Sequence, residues 1–157
     1  MRIATFVTSA TLALMSAVTF AQNVSYDVEK QRDFSKYRTY AWVEGTNLLD
    51  PLNHRRILNA IDAQLASKGL TRLETSAAAD ALIAYHVNLD TNRRTHQSGP
   101  DTLIGSLLVD VVDRKSKKSI WRARVTNEID SYASAEAREK NINLMAEKMF
   151  SNFPPNR

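Results

Sequence analysis

An α+β fold is predicted for this chain: an antiparallel β-sheet (meander) with two amphipathic helices packed on one face. Three observations predict it. Apolar and largely polar residues alternate from Asp80 to Asp90, the period of a strand with one buried face. Two other segments carry apolar residues at helical spacing instead, Ile57, Leu58, Ile61 and Leu65 in one and Ile142, Met145, Ala146, Met149, Phe150 and Phe153 in the other. Finally, three strand-like runs follow one another through short connectors, the pattern of a meander. Two helices with one apolar stripe each need a shared apolar surface, and one sheet face supplies it while the other meets water.

In chain order, Val24 to Glu29 reads as a first strand. Tyr37 to Val43 reads as a second, rich in aromatic and β-favouring side chains. Asp50 then caps a helix whose first position is Pro51, where the missing proline N–H is no loss. Gly69 ends it, because glycine takes the left-handed C′ conformation at little cost. Thr75 to Ala79 is a connector of small residues, and Asn92 to Pro100 is a polar loop. Leu103 to Asp113 and Ile120 to Ile129 are strands joined by the charged turn Lys115 to Lys118. In the latter strand Trp121, Ala123, Val125, Asn127 and Ile129 share one face, and Arg122, Arg124, Thr126 and Glu128 the other. Ser134 caps the last helix, Glu136 sits near its positive end, and Pro154-Pro155 stops it. The expected order is β-β-α-β-β-β-α.

The amino terminus decides the expected compartment. Met1-Arg2 is basic, Ile3 to Ala21 contains no charged residue, and Thr19-Phe20-Ala21 places small residues before Gln22. Residues 1–21 therefore read as a secretory signal peptide cut between Ala21 and Gln22, leaving residues 22–157 as one domain. A spanning helix would need about 20 predominantly apolar residues, and this stretch is diluted by six Ser and Thr. With no cysteine in the chain, disulfides and a lipidated first residue are excluded. The formal net charge of +4 is a mild excess that fits acidic envelope surfaces and gives no case for nucleic acid.

Several segments carry a family resemblance: Asp33-Phe34-Ser35-Lys36-Tyr37 with Thr39-Tyr40-Ala41-Trp42, Ala60-Ile61-Asp62 with Lys68-Gly69-Leu70, Ala79 to Val87, Asp110 to Trp121, and Phe153-Pro154-Pro155. In that order, over about Tyr26 to Pro155, they resemble the bacterial DUF4136 family, a domain of unknown function. The resemblance implies an envelope location and an α+β fold, and it carries over no catalytic residue. Many members of the family look like lipoproteins with a cysteine after the signal, where this chain has Ala21-Gln22.

No metal, cofactor or catalytic constellation is expected. The histidines are His54, His86 and His96, without a paired-ligand motif. His86 and Asp90 share a strand face but lie about 13 Å apart along it. Ser106 has no elbow motif around it. The basic clusters Arg93, Arg94, His96 and Arg114, Lys115, Lys117, Lys118 fall in successive connectors, hence at opposite ends of a meander. What stands out is a polar face, His86, Asn88, Asp90, Arg122, Arg124 and Glu128, which reads first as a solvated sheet face and otherwise as a docking surface for an envelope protein or surface. The expectation is a periplasmic or extracellular protein, non-enzymatic, with a binding or envelope-assembly role. The alternatives are a hydrolase using Glu128, Asp130 or His86, and an accessory subunit of an envelope transport assembly.

Overall fold

The computed structural model describes residues 23–45, 50–92 and 102–154. The signal segment, the Ala21-Gln22 junction, the cluster Arg93, Arg94, His96 and Pro155 lie outside them. The elements are β1 (Asn23–Val28), a short 3-10 turn (Phe34–Lys36), β2 (Thr39–Trp42), α1 (Pro51–Ser67), β3 (Thr71–Arg72), β4 (Ala81–Asn92), β5 (Thr102–Asp113), β6 (Ser119–Ile129) and α2 (Ala135–Phe150). They form an α+β fold with one six-stranded sheet in the order β1-β6-β5-β4-β2-β3.

The helix signals act as their chemistry dictates. The Asp50 side chain accepts from the N–H groups of Leu52 and Asn53, and the Ser134 hydroxyl accepts from Ala137 N–H. Gly69 has φ of 83°, the left-handed region. Ile57, Ile61 and Leu65 of α1 and Met149 and Phe150 of α2 join one buried cluster with Ala81, Ile83 and Tyr85 of β4, Val109 and Val111 of β5, and Trp121, Ala123 and Val125 of β6. That cluster removes the stripes of both helices and one side of the sheet from water together.

The sheet is mixed rather than a pure antiparallel meander. The β4–β5–β6 core is antiparallel, as expected. But β2 lies parallel to β4, with Tyr40 opposite Ala81 and Trp42 opposite Ile83. The crossover through α1 makes this possible, since a parallel pair needs a long connection. The unanticipated two-residue β3 extends the sheet parallel to β2. β1 pairs not with β2 but with β6, from Asn23 opposite Thr126 to Val28 opposite Trp121.

The alternation in β4 is also less regular than expected. Leu82 and Ala84, on the side read as polar, are 6% and 7% exposed, whereas Leu89 on the apolar side is 55% exposed. β4 is about 40 Å long and α1 about 25 Å, so the far end of the strand outruns its helical cover.

Candidate functional site

The register gathers the predicted polar face as rows across the strands. Arg122 lies opposite Asp110 and Asp27, and Arg124 opposite Leu108, which faces His86. Asn88 lies opposite Ser106, and Ile104 stands between Asp90 and Glu128. At the end of the face nearest the β5–β6 turn is a fork that sequence reasoning missed. Arg122 Nε donates to Asp110 Oδ1 at 2.8 Å and Nη2 to Oδ2 at 2.7 Å, while Ser119 Oγ donates to Oδ1 at 2.7 Å. Asp110 is buried, and the Arg122 side chain stays 44% exposed. A bidentate pair of this kind fixes a guanidinium in one orientation. The signal was available: in a hairpin centred on Ser116, Asp110 and Arg122 are equidistant from the turn.

The hydrolase residues do not converge. His86 is four positions from Asp90 along β4, about 13 Å, and Asp90 and Glu128 are two strands apart, about 10 Å. Asp130 lies past the end of β6, where its Oδ1 accepts from Tyr132 N–H at 2.8 Å and shapes a turn. Ser106 Oγ is 3.0 Å from Thr126 Oγ1, a cross-strand hydroxyl pair. Among the described residues no group of three or more His, Asp or Glu is placed to hold a metal ion.

A second polar feature was not foreseen as a site. A cleft of about 520 Å³ lies at the end of the sheet where β2 and β4 begin, β5 ends and the chain leaves β1. Its walls come from the segments Glu29 to Tyr37, Asp80, and Asp113 to Lys115. Asp33 accepts from Ser35 N–H at 3.0 Å and Ser35 Oγ at 2.6 Å, capping the 3-10 turn. Asp80 Oδ2 accepts from the N–H groups of Arg38 and Thr39 and from Thr39 Oγ1, tying the starts of the parallel pair. Asp113 Oδ1 accepts from Ser116 N–H and Oγ, both at 2.6 Å, and Oδ2 accepts from Tyr37 Oη at 2.8 Å.

These bonds set the ionisation of the cleft. The Ser116 hydroxyl and N–H, with help from the Tyr37 hydroxyl, hold Asp113 down at about 2. Burial, together with that acceptor carboxylate, pushes Tyr37 up to about 12. Asp80 is lowered, because the hydrogen bonds from Arg38 and Thr39 outweigh its desolvation.

A prediction follows with its sign. Asp113 is depressed in the fold, so the stability it adds is present above the unfolded carboxyl value near about 4 and is lost as pH falls toward about 2. Asp113→Asn is expected to cost about 1–2 kcal/mol at pH 7, as charge-assisted hydrogen bonds become neutral ones. Urea midpoints of the two proteins should approach each other as pH is lowered through that window. A gap independent of pH would show that the carboxylate charge is irrelevant to the fold.

Another carboxylate ties the edge strands to α1. Asp62 Oδ1 accepts from Tyr40 Oη at 2.6 Å and Trp42 Nε1 at 2.9 Å, and Oδ2 accepts from Arg72 Nη1 at 2.9 Å. Above it His54 Nδ1 contacts the Tyr85 hydroxyl.

Together these features define a small α+β domain, with two helices against a six-stranded mixed sheet, whose carboxylates mostly serve as internal struts. The chain belongs to the DUF4136 family: the model for this domain of unknown function matches residues 24–155. No curated protein sequence matches it. Among solved structures it is similar to a DUF4136 family protein from Bacteroides thetaiotaomicron, with a TM-score of 0.62 and 14% identity over 87% of this chain and 97% of that one. It is also similar to the PelC dodecamer subunit from Paraburkholderia phytofirmans, with a TM-score of 0.58 and 11% identity over 83% and 95% of the two chains. A PDZ domain protein from Parabacteroides distasonis matches with a TM-score of 0.59 and 17% identity, over 87% of this chain and 37% of that one. At these identities the likeness shows the fold alone. No helix among the described residues is long and apolar enough to cross a membrane.

Proposed function

We propose that this chain is an exported, non-enzymatic protein of the bacterial envelope that docks a partner on its polar sheet face. Export rests on the leader Met1 to Ala21 and the small residues before Gln22. The non-enzymatic reading is supported by Asp33, Asp62, Asp80 and Asp113, each of which accepts hydrogen bonds that hold the fold together. The observation that carries the docking reading is the Asp110–Arg122 fork. It presents a part-exposed guanidinium held in place before any partner arrives, and arginines so preorganised favour association. Arg124, His86, Asn88, Asp90 and Glu128 follow it along the same face, toward the other end of the strands.

The full chain expressed in a Gram-negative host should yield a periplasmic protein starting at Gln22. Immobilised, that protein should retain an envelope component that Arg122→Glu with Arg124→Glu releases by about tenfold or more. An intact Met1 end in the cytosol would end the export reading, and equal retention by both forms would end the docking reading. The accessory-subunit reading draws on the fold shared with PelC, itself a dodecamer. A monomeric mass in solution would count against it.

A further inference from the structure

We infer that the cleft at the sheet end binds a small carboxylate-bearing ligand, with Arg114 and Lys115 holding the carboxylate. Four acids and four bases line this cleft, so its formal charge balances, but their hydrogen-bonding capacity does not. All four carboxylates already accept at least two bonds from the chain. Glu29 takes Arg32 Nε and Nη2, while Asp33, Asp80 and Asp113 take the hydroxyl and backbone donors given above. Two of the cations are less committed. Arg114 uses Nε on the Ala79 carbonyl at 2.6 Å, and its backbone N–H bonds the Asp80 carbonyl at 3.2 Å. Among the described residues the Arg114 Nη atoms make no hydrogen bond, and neither Arg114 nor Lys115 forms an ion pair. The Arg114 guanidinium is thus anchored at its inner nitrogen in the wall of the cleft, near enough to Asp80 to stabilise its charge, with no hydrogen bond from its outer nitrogens among the described residues.

A carboxylate suits those outer nitrogens, since the Nη pair meets two oxygens in one plane. A dianion suits them less, because the four cations of the cleft are already matched by four fixed carboxylates and leave no net positive charge to hold a second negative one. The volume exceeds what one carboxylate fills and lies within the range of small-molecule sites. The rest of the ligand then carries hydroxyl or amide donors, which the remaining lone pairs of Asp33 and Glu29 accept. Two sources share this chemistry, a uronic acid from an acidic glycan and the free carboxyl end of a peptide.

The test is titration of the 15N-labelled protein with glucuronate and with N-acetyl-alanyl-alanine, using glucose and the dipeptide amide as neutral controls. At millimolar concentrations, about 10 mM at the top, at least one carboxylate should shift the amides of residues 36–38 and 113–116. Which one does so identifies the source. Lys115→Gln, which removes no hydrogen bond of the fold, should weaken the response about threefold, and Arg114→Gln about tenfold. Shifts by neither carboxylate, equal shifts by the neutral controls, or an unchanged response in Lys115→Gln would overturn the inference.

Discussion

Replacing Gly45 by alanine is expected to destabilise the protein by about 3 kcal/mol or more. After β2 the chain still follows β4, with Val43 N–H bonded to the Ile83 carbonyl at 2.9 Å. Gly45 therefore passes directly against the backbone of Tyr85. A Cβ there would lie 2.2 Å from the Tyr85 carbonyl oxygen and 3.1 Å from its nitrogen. Neither atom can swing aside, because β4 is held between β2 and β5. Relief would require parting β2 from β4, the parallel junction clamped by Asp80.

Gly105→Ala is the natural control. Its added Cβ would meet Ile129 Cδ1 at 2.4 Å, but that atom ends a flexible side chain which is 39% exposed. It should rotate away, and the strand gains from losing a glycine, so the net change should stay within about 0.5 kcal/mol. Urea unfolding followed by the fluorescence of Trp42 and Trp121 separates the two. A Gly45→Ala midpoint equal to that of Gly105→Ala would refute the close approach.

Gly45 illustrates what could be read in the sequence and what could not. Features written into consecutive residues were legible: the caps at Asp50 and Ser134, the left-handed Gly69, the strand alternation around Tyr85 and Trp121, and the stripes of both helices. Features that exist only between distant segments were not. Nothing near Asn23 announces Thr126 as its partner, and nothing near Thr39 announces that Asp80 will clamp it. A two-residue strand such as β3 has no periodicity to detect. The same holds for the sites. The residues of the polar face were legible because strand parity alone puts them on one side. The cleft was not, because it assembles Glu29 to Tyr37, Asp80 and Asp113 to Lys115 from three separated segments. Those segments were noticed as family motifs, whereas in the fold their acidic side chains are seen as struts.

Phe153→Ala should lower stability by about 3–5 kcal/mol, although the residue lies beyond α2 and close to the chain end. Its ring is 3% exposed and sits among three others: 5.0 Å from Trp121, 5.7 Å from Phe150 and 5.9 Å from Phe34, the last edge-on. Phe34 belongs to the 3-10 turn after β1, Trp121 to β6 and Phe150 to α2, so one side chain joins four segments of the chain. Aromatic pairs at such distances add to the area term. Truncation would leave a cavity beside Trp121, whose indole N–H has no hydrogen-bond partner among the described residues and which is therefore held by packing. At this chain length the loss corresponds to a melting point lower by roughly 10–15 °C. Phe153→Leu keeps most of the volume and should lose about 1.5 kcal/mol. Calorimetry on the two variants distinguishes a packed core residue from a loose chain end, since a loose end would leave both melting with the unsubstituted protein. The ordering expected here, alanine far below leucine, requires that residues past α2 complete the same core that both helices close over the sheet.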